Sequence, residues 1–300
     1  MIKKATMPTL RLNNGFDMPI LGPGVWRINK GGMRDLIINV IKIGYRHFDC
    51  AGTFSTPLLL FLLWNSDHGH VIEACKNSLE KLQLEYLDLY LVHFPIASTH
   101  IGRVGTTGNT YDGDGVLDID TTISLETTWH DMESLVFWFP WVGLVRRIGI
   151  SNYDVFLTRD CLAFSKVKLA VNLIETHPYF QRDSLVRFSQ KHGIYVTAHT
   201  PLGGAIANAK RFGSISCLDD PVLKDLTEKY KKSVVQIVLR WGIQRNTIVI
   251  PKTSSVERLK ENFNVFDFKI TEEDMEIIKG VDRKHRTNHP TKAWGLDPYA

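Results

Sequence analysis

The sequence predicts a (β/α)8 barrel, an α/β fold that occupies residues 1–300 as a single domain. Short apolar runs alternate with segments of helical periodicity, eight such runs fit within the 300 residues, and no linker or low-complexity stretch divides the chain. Strands that alternate with helices indicate a parallel sheet, and eight repeats in about 250–300 residues are typical of a closed barrel.

The predicted strands are short and either β-branched or continuously apolar, as expected for strands that are buried on both faces. In chain order they are residues 21–26, 46–51, 58–64, 88–93, 146–151, 171–176, 195–200 and 247–251. Their carboxyl ends should meet at one mouth, which is the active-site face of such a barrel.

Amphipathic helices are predicted between most of these strands. Within residues 68–84 the apolar side chains recur every three or four positions and so fall near one helical face; they are Val71, Ile72, Cys75, Leu79 and Leu82. Further helices are predicted at residues 121–136, 183–193, 233–244, 255–263 and 271–281.

One crossover helix is missing from this pattern. Only the six residues 52–57 separate the second predicted strand from the third. A parallel crossover needs about a dozen residues, which are usually helical. We therefore expect an incomplete barrel, in which either the third run pairs differently or one side of the sheet lacks its helix.

The composition excludes several classes of protein. The net charge is only +4 and the lysines and arginines do not cluster, which argues against nucleic-acid binding. The longest apolar runs, at 58–64 and 136–145, are far shorter than the ~20 residues that span a membrane. We expect a partner that is a small molecule, with no nucleic acid and no membrane, and a protein that is a monomer or a homodimer.

The cysteines form neither a CxxC pair nor a zinc-binding spacing. They are Cys50, Cys75, Cys161 and Cys217. Reduced thiols are usual in cytosolic proteins, and the amino terminus has no apolar signal-peptide core. We therefore expect a cytoplasmic protein that binds no metal.

Two ionisable side chains end neighbouring predicted strands, Asp49 in RHFDCA and His93 in DLYLVH. Each alone has an ordinary structural explanation, a solvated or capping Asp and a hydrogen-bonded His. Because both should lie at the same mouth, a catalytic role becomes the better interpretation.

Polar side chains at two further strand ends are weaker candidates. Ser151 and Asn152 could cap the following helix, and at the mouth they could also bind a carboxamide. Glu175 and His177 follow the next strand, and we interpret Glu175 as a buried ion-pair partner.

The segment IPKTSSVERLKEN has the strongest local pattern for anion binding. A strand ends at Pro251, and Ser254 with Glu257 forms an S-x-x-E capping box. The N–H groups at the start of the helix attract anions, and Lys252 and Arg258 add two positive charges. In barrels of this type phosphate sites form after strands 7 and 8. A capped surface helix with unrelated basic residues is the alternative.

Taken together, these segments resemble the NADPH-dependent aldo-keto reductases, most closely the plant aldose-6-phosphate reductases. The matching stretches cover nearly the whole chain and include GYRHFDCA, LWNSDHGHVIEACKNSLEKLQLEYLDLYLVHFP, GVLDIDTTISLETTWHDME, GLVRRIGISNYD, IETHPYFQRDSLV, VTAHTPLGG and IPKTSSVERLKENF. The resemblance implies transfer of a hydride from NADPH to the carbonyl carbon of a sugar substrate.

The catalytic residues of that family are only partly present. Asp49 and His93 match its Asp and its carbonyl-orienting His. Phe54 stands at the position of the proton-donating Tyr, and Leu62 stands at the position of the Lys that lowers the pKa of that Tyr. Neither replacement can perform the role, because Phe has no proton to donate and Leu has no charge.

At most of the cofactor-binding positions that the resemblance implies, this sequence has the residue type that the family uses. Ser151 and Asn152 match the carboxamide ligands, whereas Leu173 replaces the Gln that usually joins them, and His199 is at the nicotinamide-stacking position. The adenosine-phosphate and adenine contacts correspond to Lys252, Thr253, Arg258, Glu261 and Asn262. Lys252 and Arg258 favour NADPH over NADH.

Two functions remain open at this point. One is an NADPH-dependent oxidoreductase that reduces an aldose or aldose 6-phosphate to the alditol, impaired by the loss of the Tyr and the Lys. The alternative is a non-catalytic NADP(H)-binding pseudoenzyme or partner-binding protein. The short connection at 52–57 and an apparent insertion at 136–142 also leave open a chain that folds poorly.

Overall fold

The computed structural model of the protein describes residues 7–13, 15–25, 30–50, 60–105, 109–136, 143–204 and 215–299. Phe54, at the position of the proton donor, and residues 137–142 of the apparent insertion lie outside these ranges. The extent of the predicted single domain, residues 1–300, stays a prediction.

The chain begins with an antiparallel hairpin of strands β1 (Thr9–Arg11) and β2 (Asp17–Pro19). The hairpin packs against the end of the barrel at which the parallel strands begin, because Leu12 and Met18 join the interior cluster with Leu89, the first residue of a barrel strand. Between its strands, the Asn13 side-chain amide donates to the carbonyls of Leu169 and Gly193, at 2.8 and 2.9 Å. Both acceptors lie just before a barrel strand.

Seven parallel strands form the main sheet in sequential order. They are β3 (Asp49–Cys50), β4 (Leu60–Leu63), β5 (Leu89–Val92), β6 (Ile148–Ser151), β7 (Val171–Glu175), β8 (Tyr195–His199) and β9 (Thr247–Val249). The four strands from β4 to β7 are buried at every residue whose side chain is described, and their near-continuous apolar sequences are typical of a sheet that is covered on both faces.

Residues 20–25 close the sheet into a barrel. Leu21 bridges to Val249 of β9, and Gly24 bridges to Asp49 of β3, both in parallel register. The Gly22 N–H donates to the Val249 carbonyl at 3.0 Å, and the Val25 N–H donates to the Asp49 carbonyl at 3.1 Å. The prediction of a closed parallel barrel is confirmed, although its first strand is reduced to isolated bridges.

The helices lie between the strands and after them. They are α1 (Lys30–Ile43), α2 (Val71–Leu82), α3 (Leu125–Val136), α4 (Val155–Phe164), α5 (Asp183–Lys191), α6 (Pro221–Tyr230), α7 (Val234–Gln244), α8 (Val256–Phe263), α9 (Glu272–Lys279) and α10 (Thr291–Trp294). Short 3₁₀ helices span Asn65–His70 and Cys217–Asp219. Helices α1, α4 and α6 are not among those predicted from the sequence.

The short connection joins two strands that pair in parallel. Asp49 is in register with Leu60, and Cys50 is in register with Phe61. The expectation that the third run could pair differently is therefore wrong. The predicted absence of a crossover helix concerns residues 51–59, which lie outside the described part of the chain.

Two apolar layers hold the barrel together. The interior of the barrel contains buried aliphatic side chains from several strands, with Leu62, Leu91 and Leu173 among them. A larger cluster lies between the sheet and the helices and includes Trp129 and Met132 of α3. Full burial of such a side chain stabilises the fold by about 1.5–3 kcal/mol.

Candidate active site

The candidate site lies at the carboxyl ends of the barrel strands. His93 directly follows β5, Ser151 ends β6, and His199 ends β8. The parallel register of the strands brings these ends to the same mouth, as the sequence predicts.

Asn152 connects three strands through its side chain. Its amide nitrogen donates to the His93 carbonyl at 2.8 Å and to the Ser151 hydroxyl at 3.0 Å. Its amide oxygen accepts a hydrogen bond from Nε2 of His199 at 3.1 Å. Asn152 has a φ of 64°, a left-handed conformation that Asn tolerates better than most residues. Ser151 extends the network, because its hydroxyl donates to the Leu173 carbonyl at 2.9 Å.

This network fixes the tautomer of His199. Because Nε2 donates to Asn152, Nδ1 is the acceptor, and the Thr200 hydroxyl lies 3.1 Å from it. Burial lowers the pKa of His199 to about 4, so its ring is neutral at pH 7. A neutral, hydrogen-bonded ring at the mouth suits a stacking surface for a flat heterocycle.

His93 is a neutral hydrogen-bonding group at the mouth. Burial lowers its pKa to about 3, and the neighbouring rings of His199 and His68 add to the effect. Its ring packs 4.9 Å from that of Trp64, and its Nδ1 has no hydrogen-bond partner within the described ranges. A neutral imidazole can orient a carbonyl by donating its single N–H.

Asp49 is buried with little to stabilise its charge. Its Oδ1 has no hydrogen-bond partner among the residues that the structure describes. Burial raises the pKa of Asp49 to about 7, which is far above the usual value of an aspartate. A nearby ammonium would have the opposite effect on this carboxyl.

Leu62, which occupies the expected Lys position, belongs to the apolar interior of the barrel. It is in register with Leu91 of β5 and is 6% exposed. Its side chain packs in the interior cluster with Leu89 and Leu173. The structure therefore places an aliphatic group on the strand next to Asp49.

Glu175 is a structural residue that holds the carboxyl-terminal segment against the barrel. Its Oε1 lies 3.0 Å from Nε2 of His177 and accepts from the Thr287 N–H at 2.6 Å, and its Oε2 accepts from the Asn288 N–H at 2.9 Å. Burial alone would raise its pKa, but the hydrogen bond and charge of His177 outweigh burial and lower it to about 2. Glu175 is buried and lies against His177, so the contact expected of a buried ion-pair partner is present.

The start of α8 has a different cap from the predicted one. Ser255, not Ser254, is the N-cap, and its hydroxyl accepts from the Arg258 N–H at 3.2 Å. The same hydroxyl donates to the Glu257 side chain at 2.8 Å, so Glu257 supports the cap from the second helical position. The predicted Ser254–Glu257 capping box is therefore wrong: the N-cap lies one residue later, and the residue three positions after Ser255 is Arg258, which cannot complete such a box.

Of the predicted adenosine-side residues, three lie at or near this helix start and two, Glu261 and Asn262, lie in its last turn. Lys252 and Arg258 are exposed, and the Thr253 hydroxyl accepts from the Ser255 N–H at 3.1 Å. Glu261 accepts from the hydroxyl of Ser233, and Asn262 is buried. Two cations and free helical N–H groups make this surface suited to a phosphate.

Three aromatic and aliphatic side chains at the mouth were not evident from sequence. Phe94 and Trp294 meet edge to face at 4.7 Å, and Leu117 packs with them. The contact joins the long segment after β5 to the carboxyl-terminal segment. Trp64 could have been found, because it directly follows β4 at the mouth.

Two negative findings apply to the described part of the chain. No helix there is long and apolar enough to cross a membrane. No group of three or more His, Cys, Asp or Glu side chains there could hold a metal ion.

Comparisons with known proteins agree with this geometry. The model of the Aldo/keto reductase family matches residues 65–283. The chain is 57% identical over 315 aligned positions to NADP-dependent D-sorbitol-6-phosphate dehydrogenase of Malus domestica, covering 98% of this chain and 100% of that protein. It is 35% identical over 307 positions to aldo-keto reductase family 1 member A1-A of Danio rerio, covering 94% of this chain and 92% of that protein.

A solved structure extends the likeness to the whole fold. The aldose reductase from Schistosoma japonicum superposes with a TM-score of 0.83 at 31% sequence identity, and 98% of each chain is covered. The alignment to the Malus domestica protein is longer than the 300 residues of this chain, so some positions of that relative have no counterpart here.

Proposed function

The chain belongs to the aldo/keto reductase family, and on this premise we propose that it is an NADPH-dependent reductase of an aldose or aldose 6-phosphate, impaired in its proton-transfer step. The observation that carries the proposal is the mouth of the barrel, where Asn152 joins His93, Ser151 and His199 in one network. The predictions of the family, of an oxidoreductase and of NADPH as its cofactor are confirmed by the relatives.

The residues present fit NADPH at both of its ends. Lys252, Arg258 and the start of α8 offer two positive charges and helical N–H groups to the adenosine phosphate. Ser151 and Asn152 offer a hydroxyl and an amide to the carboxamide, and the neutral ring of His199 offers a stacking surface. When bound, NADPH supplies the hydride for the reduction.

His93 positions the substrate in the proposed reaction. Its neutral ring donates a hydrogen bond to the carbonyl oxygen of the sugar, which polarises the carbonyl and holds it in place. The pKa of about 3 means that His93 carries no extra proton to transfer at pH 7. The proton for the new hydroxyl must therefore come from another group or from water.

Impairment follows from the residues at the donor positions. Phe54 has no acidic proton, and Leu62 presents an apolar side chain inside the barrel. Loss of a positioned general acid typically slows a reaction about 10²–10⁴-fold. We therefore propose slow turnover rather than none, since His93 and the cofactor positions are kept.

The proposed substrate class rests on the relatives, one of which is named for sorbitol 6-phosphate. We propose glucose 6-phosphate or mannose 6-phosphate as the substrate and the alditol 6-phosphate as the product. We also propose a cytoplasmic protein, as a monomer or homodimer, that engages neither nucleic acid nor membrane.

A non-catalytic NADP(H)-binding protein is the second candidate, and the burial of Leu62 favours it. An aliphatic residue at that position leaves Asp49 with no cation to pair with in the described part of the barrel. Such a protein would bind NADPH as tightly as an enzyme does and would oxidise it no faster with sugar phosphate than without.

Steady-state oxidation of NADPH with glucose 6-phosphate and mannose 6-phosphate separates the two candidates. The reductase proposal expects slow, saturable, substrate-dependent oxidation that rises at least tenfold in the variant Phe54→Tyr with Leu62→Lys. A matched control carries Phe54→Tyr alone, which lacks the ammonium. Rates that stay at the substrate-free background in every variant, with NADPH bound, would favour the non-catalytic protein.

A further inference from the structure

Helix α7 begins with a capping box that also contacts helix α8. Ser233 is the N-cap of α7, and its hydroxyl oxygen accepts from the Gln236 N–H at 3.3 Å. The Gln236 side chain completes the box, because its Oε1 accepts from the Ser233 N–H at 3.0 Å. Such a box satisfies two backbone donors at the start of a helix. Each of the two side chains has one further hydrogen-bonding group, and both of these groups reach the end of α8.

Gln236 holds the backbone at the end of α8. Its Nε2 donates to the carbonyl of Glu261 at 3.1 Å and to that of Asn264 at 3.0 Å. Carbonyls at the end of a helix lack the donor that the next helical turn would supply. The Gln236 amide provides donors in its place and so fixes the last turn of α8 against α7.

Ser233 holds the Glu261 side chain at the same place. The Ser233 hydroxyl donates to Oε1 of Glu261 while its oxygen accepts from Gln236, so the hydroxyl is used both as donor and as acceptor. Among the described residues, no other hydrogen bond and no ion pair involves the Glu261 carboxylate. The second carboxylate oxygen, Oε2, is therefore available to a donor of a ligand.

Glu261 lies one helical turn beyond the proposed phosphate site. Arg258 is three positions earlier and therefore on the same side of α8, about 4.5 Å away along the helix axis. In NADPH, the additional phosphate and the adenine are attached to the same ribose. A phosphate bound at the start of α8 therefore keeps the adenine within the length of a sugar of this helix.

A carboxylate in this position selects one group of adenine. An ionised carboxylate only accepts hydrogen bonds, and the donor of the adenine ring is its exocyclic amine. Hypoxanthine has a carbonyl oxygen in place of that amine and carries its donor on the neighbouring ring nitrogen. A carboxylate that is held in place therefore distinguishes the two bases, whereas a mobile one can follow the donor.

We propose that Ser233 is a positioning residue that holds Glu261 ready to accept from the adenine amine of the cofactor, a proposal that rests on the proposed NADPH-binding function. A side chain that is held before binding loses less conformational entropy when the ligand fixes it. Gln236 supports the arrangement by fixing the helical turn that carries Glu261. Ser233 acts through Glu261 and not on the cofactor itself.

Titration of the tryptophan fluorescence of the full-length protein with two cofactors tests the proposal. One is NADPH, and the other is reduced nicotinamide hypoxanthine dinucleotide phosphate. We expect the unmodified protein to bind NADPH at least tenfold more tightly, because the hypoxanthine cofactor loses a hydrogen bond to a charged group. The readout is the ratio of the two dissociation constants, since damage to the fold alone weakens both cofactors equally and leaves the ratio unchanged.

Variants of Ser233 separate positioning from helix capping. Ser233→Gly should reduce the ratio to about threefold or less, because Glu261 loses the donor that holds it. Glycine is tolerated at an N-cap better than alanine, so α7 keeps its start. Ser233→Thr retains a hydroxyl and should retain the tenfold preference. Thr271→Gly is the matched control, because it removes the hydroxyl N-cap of another helix, α9, and it should leave the ratio unchanged.

A variant of Glu261 locates the group that reads the base. Glu261→Gln should abolish the preference for NADPH, because an amide offers a donor to hypoxanthine as well as an acceptor to adenine.

Three results would overturn the proposal. The first is equal affinity of the unmodified protein for the two cofactors, which would leave the proposed function intact. The second is a tenfold ratio that persists in Ser233→Gly. The third is an equal fall of the ratio in Thr271→Gly and in Ser233→Gly. The absence of binding of either cofactor would contradict the proposed function itself, and the role of Ser233 would fail with it.

Discussion

Asp49 and Leu62 lie on neighbouring strands, and their chemistry is mismatched. The carboxyl of Asp49 is buried and has a pKa raised to about 7, while Leu62 presents only carbon atoms to the barrel interior. In the family that the chain resembles, a Lys at this position would stabilise the charged carboxylate. Burial of Asp49 therefore destabilises the folded state at every pH at which this carboxyl would be ionised in the unfolded chain.

The pH dependence of stability should report this cost. Between the ordinary pKa of about 4 and the raised value of about 7, the folded protein holds a proton that the unfolded chain releases. The contribution of Asp49 to stability is therefore full below pH 4, falls as the pH rises to 7, and then stays constant. A shift of about three units corresponds to a loss on the order of 4 kcal/mol.

Asp49→Asn should remove this decline. Urea unfolding at pH 5 and pH 8 compares the two proteins, and the stability of the variant should rise relative to that of the unmodified protein as the pH increases. The buried neutral rings of His93 and His199 also change stability over this range, but they do so in both proteins alike. Asp225→Asn is the matched control, because Asp225 is exposed on α6. An equal pH dependence in Asp49→Asn and in the unmodified protein would refute the account of Asp49.

Residue-scale features were partly predictable from sequence. Asp49 and His93 could be found because each ends a strand, and strand ends of a parallel barrel converge. The contacts of Glu175 could not be found, because Thr287 and Asn288 lie more than a hundred positions away along the chain. No local pattern encodes such a contact.

At the scale of elements, helix α8 depends on its cap. Ser255 satisfies the Arg258 N–H, and the helix start faces the proposed phosphate. Ser255→Ala should destabilise the protein by about 0.5–2 kcal/mol, the usual cost of losing an N-cap hydroxyl. Thermal unfolding measures this loss.

Ser254→Ala is the matched control for the cap, one residue earlier and exposed. It should change the midpoint of unfolding little. A larger loss in Ser254→Ala than in Ser255→Ala would show that the capping box predicted from sequence is right and that the observed cap is not.

Glu175 holds the carboxyl-terminal segment against the barrel by accepting hydrogen bonds from its backbone. Glu175→Gln keeps the size of the side chain but turns one acceptor into a donor, which faces the N–H groups of Thr287 and Asn288. We expect a loss of about 1–3 kcal/mol from an unsatisfied buried group. Hydrogen exchange should become faster at Thr287 and Asn288.

Glu228→Gln provides the comparison, because Glu228 forms only an exposed pair with Lys231. Surface pairs contribute little to stability, so this variant should exchange like the unmodified protein. Unchanged protection of Thr287 and Asn288 in Glu175→Gln would contradict the role of Glu175.

Elements were predictable where the apolar pattern is strong. The strands from β4 to β9 appear within the predicted runs, although each is shorter than predicted. The run at 21–26 is predicted as a strand, but its described residues, 21–25, take part in isolated bridges and not in a named strand. Sequence cannot resolve this difference, because the hydrogen bonds that close the barrel depend on where β3 and β9 lie.

At the scale of the whole molecule, a closed barrel contrasts with the proposed loss of two catalytic side chains. Residues 20–25 close the barrel between β9 and β3, and the chain superposes on an aldose reductase over 98% of its length. Phe54 belongs to the short connection between β3 and β4, so the proposed loss of the proton donor and the predicted lack of a crossover helix concern the same part of the sequence. The cofactor-binding residues lie on other elements.

The central claim is therefore that this reductase retains its NADPH-binding site while its proton transfer is impaired. Titration of the intrinsic tryptophan fluorescence with NADPH, and separately with NADH, tests the kept site most directly. We predict saturable quenching by NADPH and at least tenfold weaker binding of NADH, because Lys252 and Arg258 favour the additional phosphate. No quenching at millimolar NADPH, or equal affinity for the two cofactors, would contradict the claim.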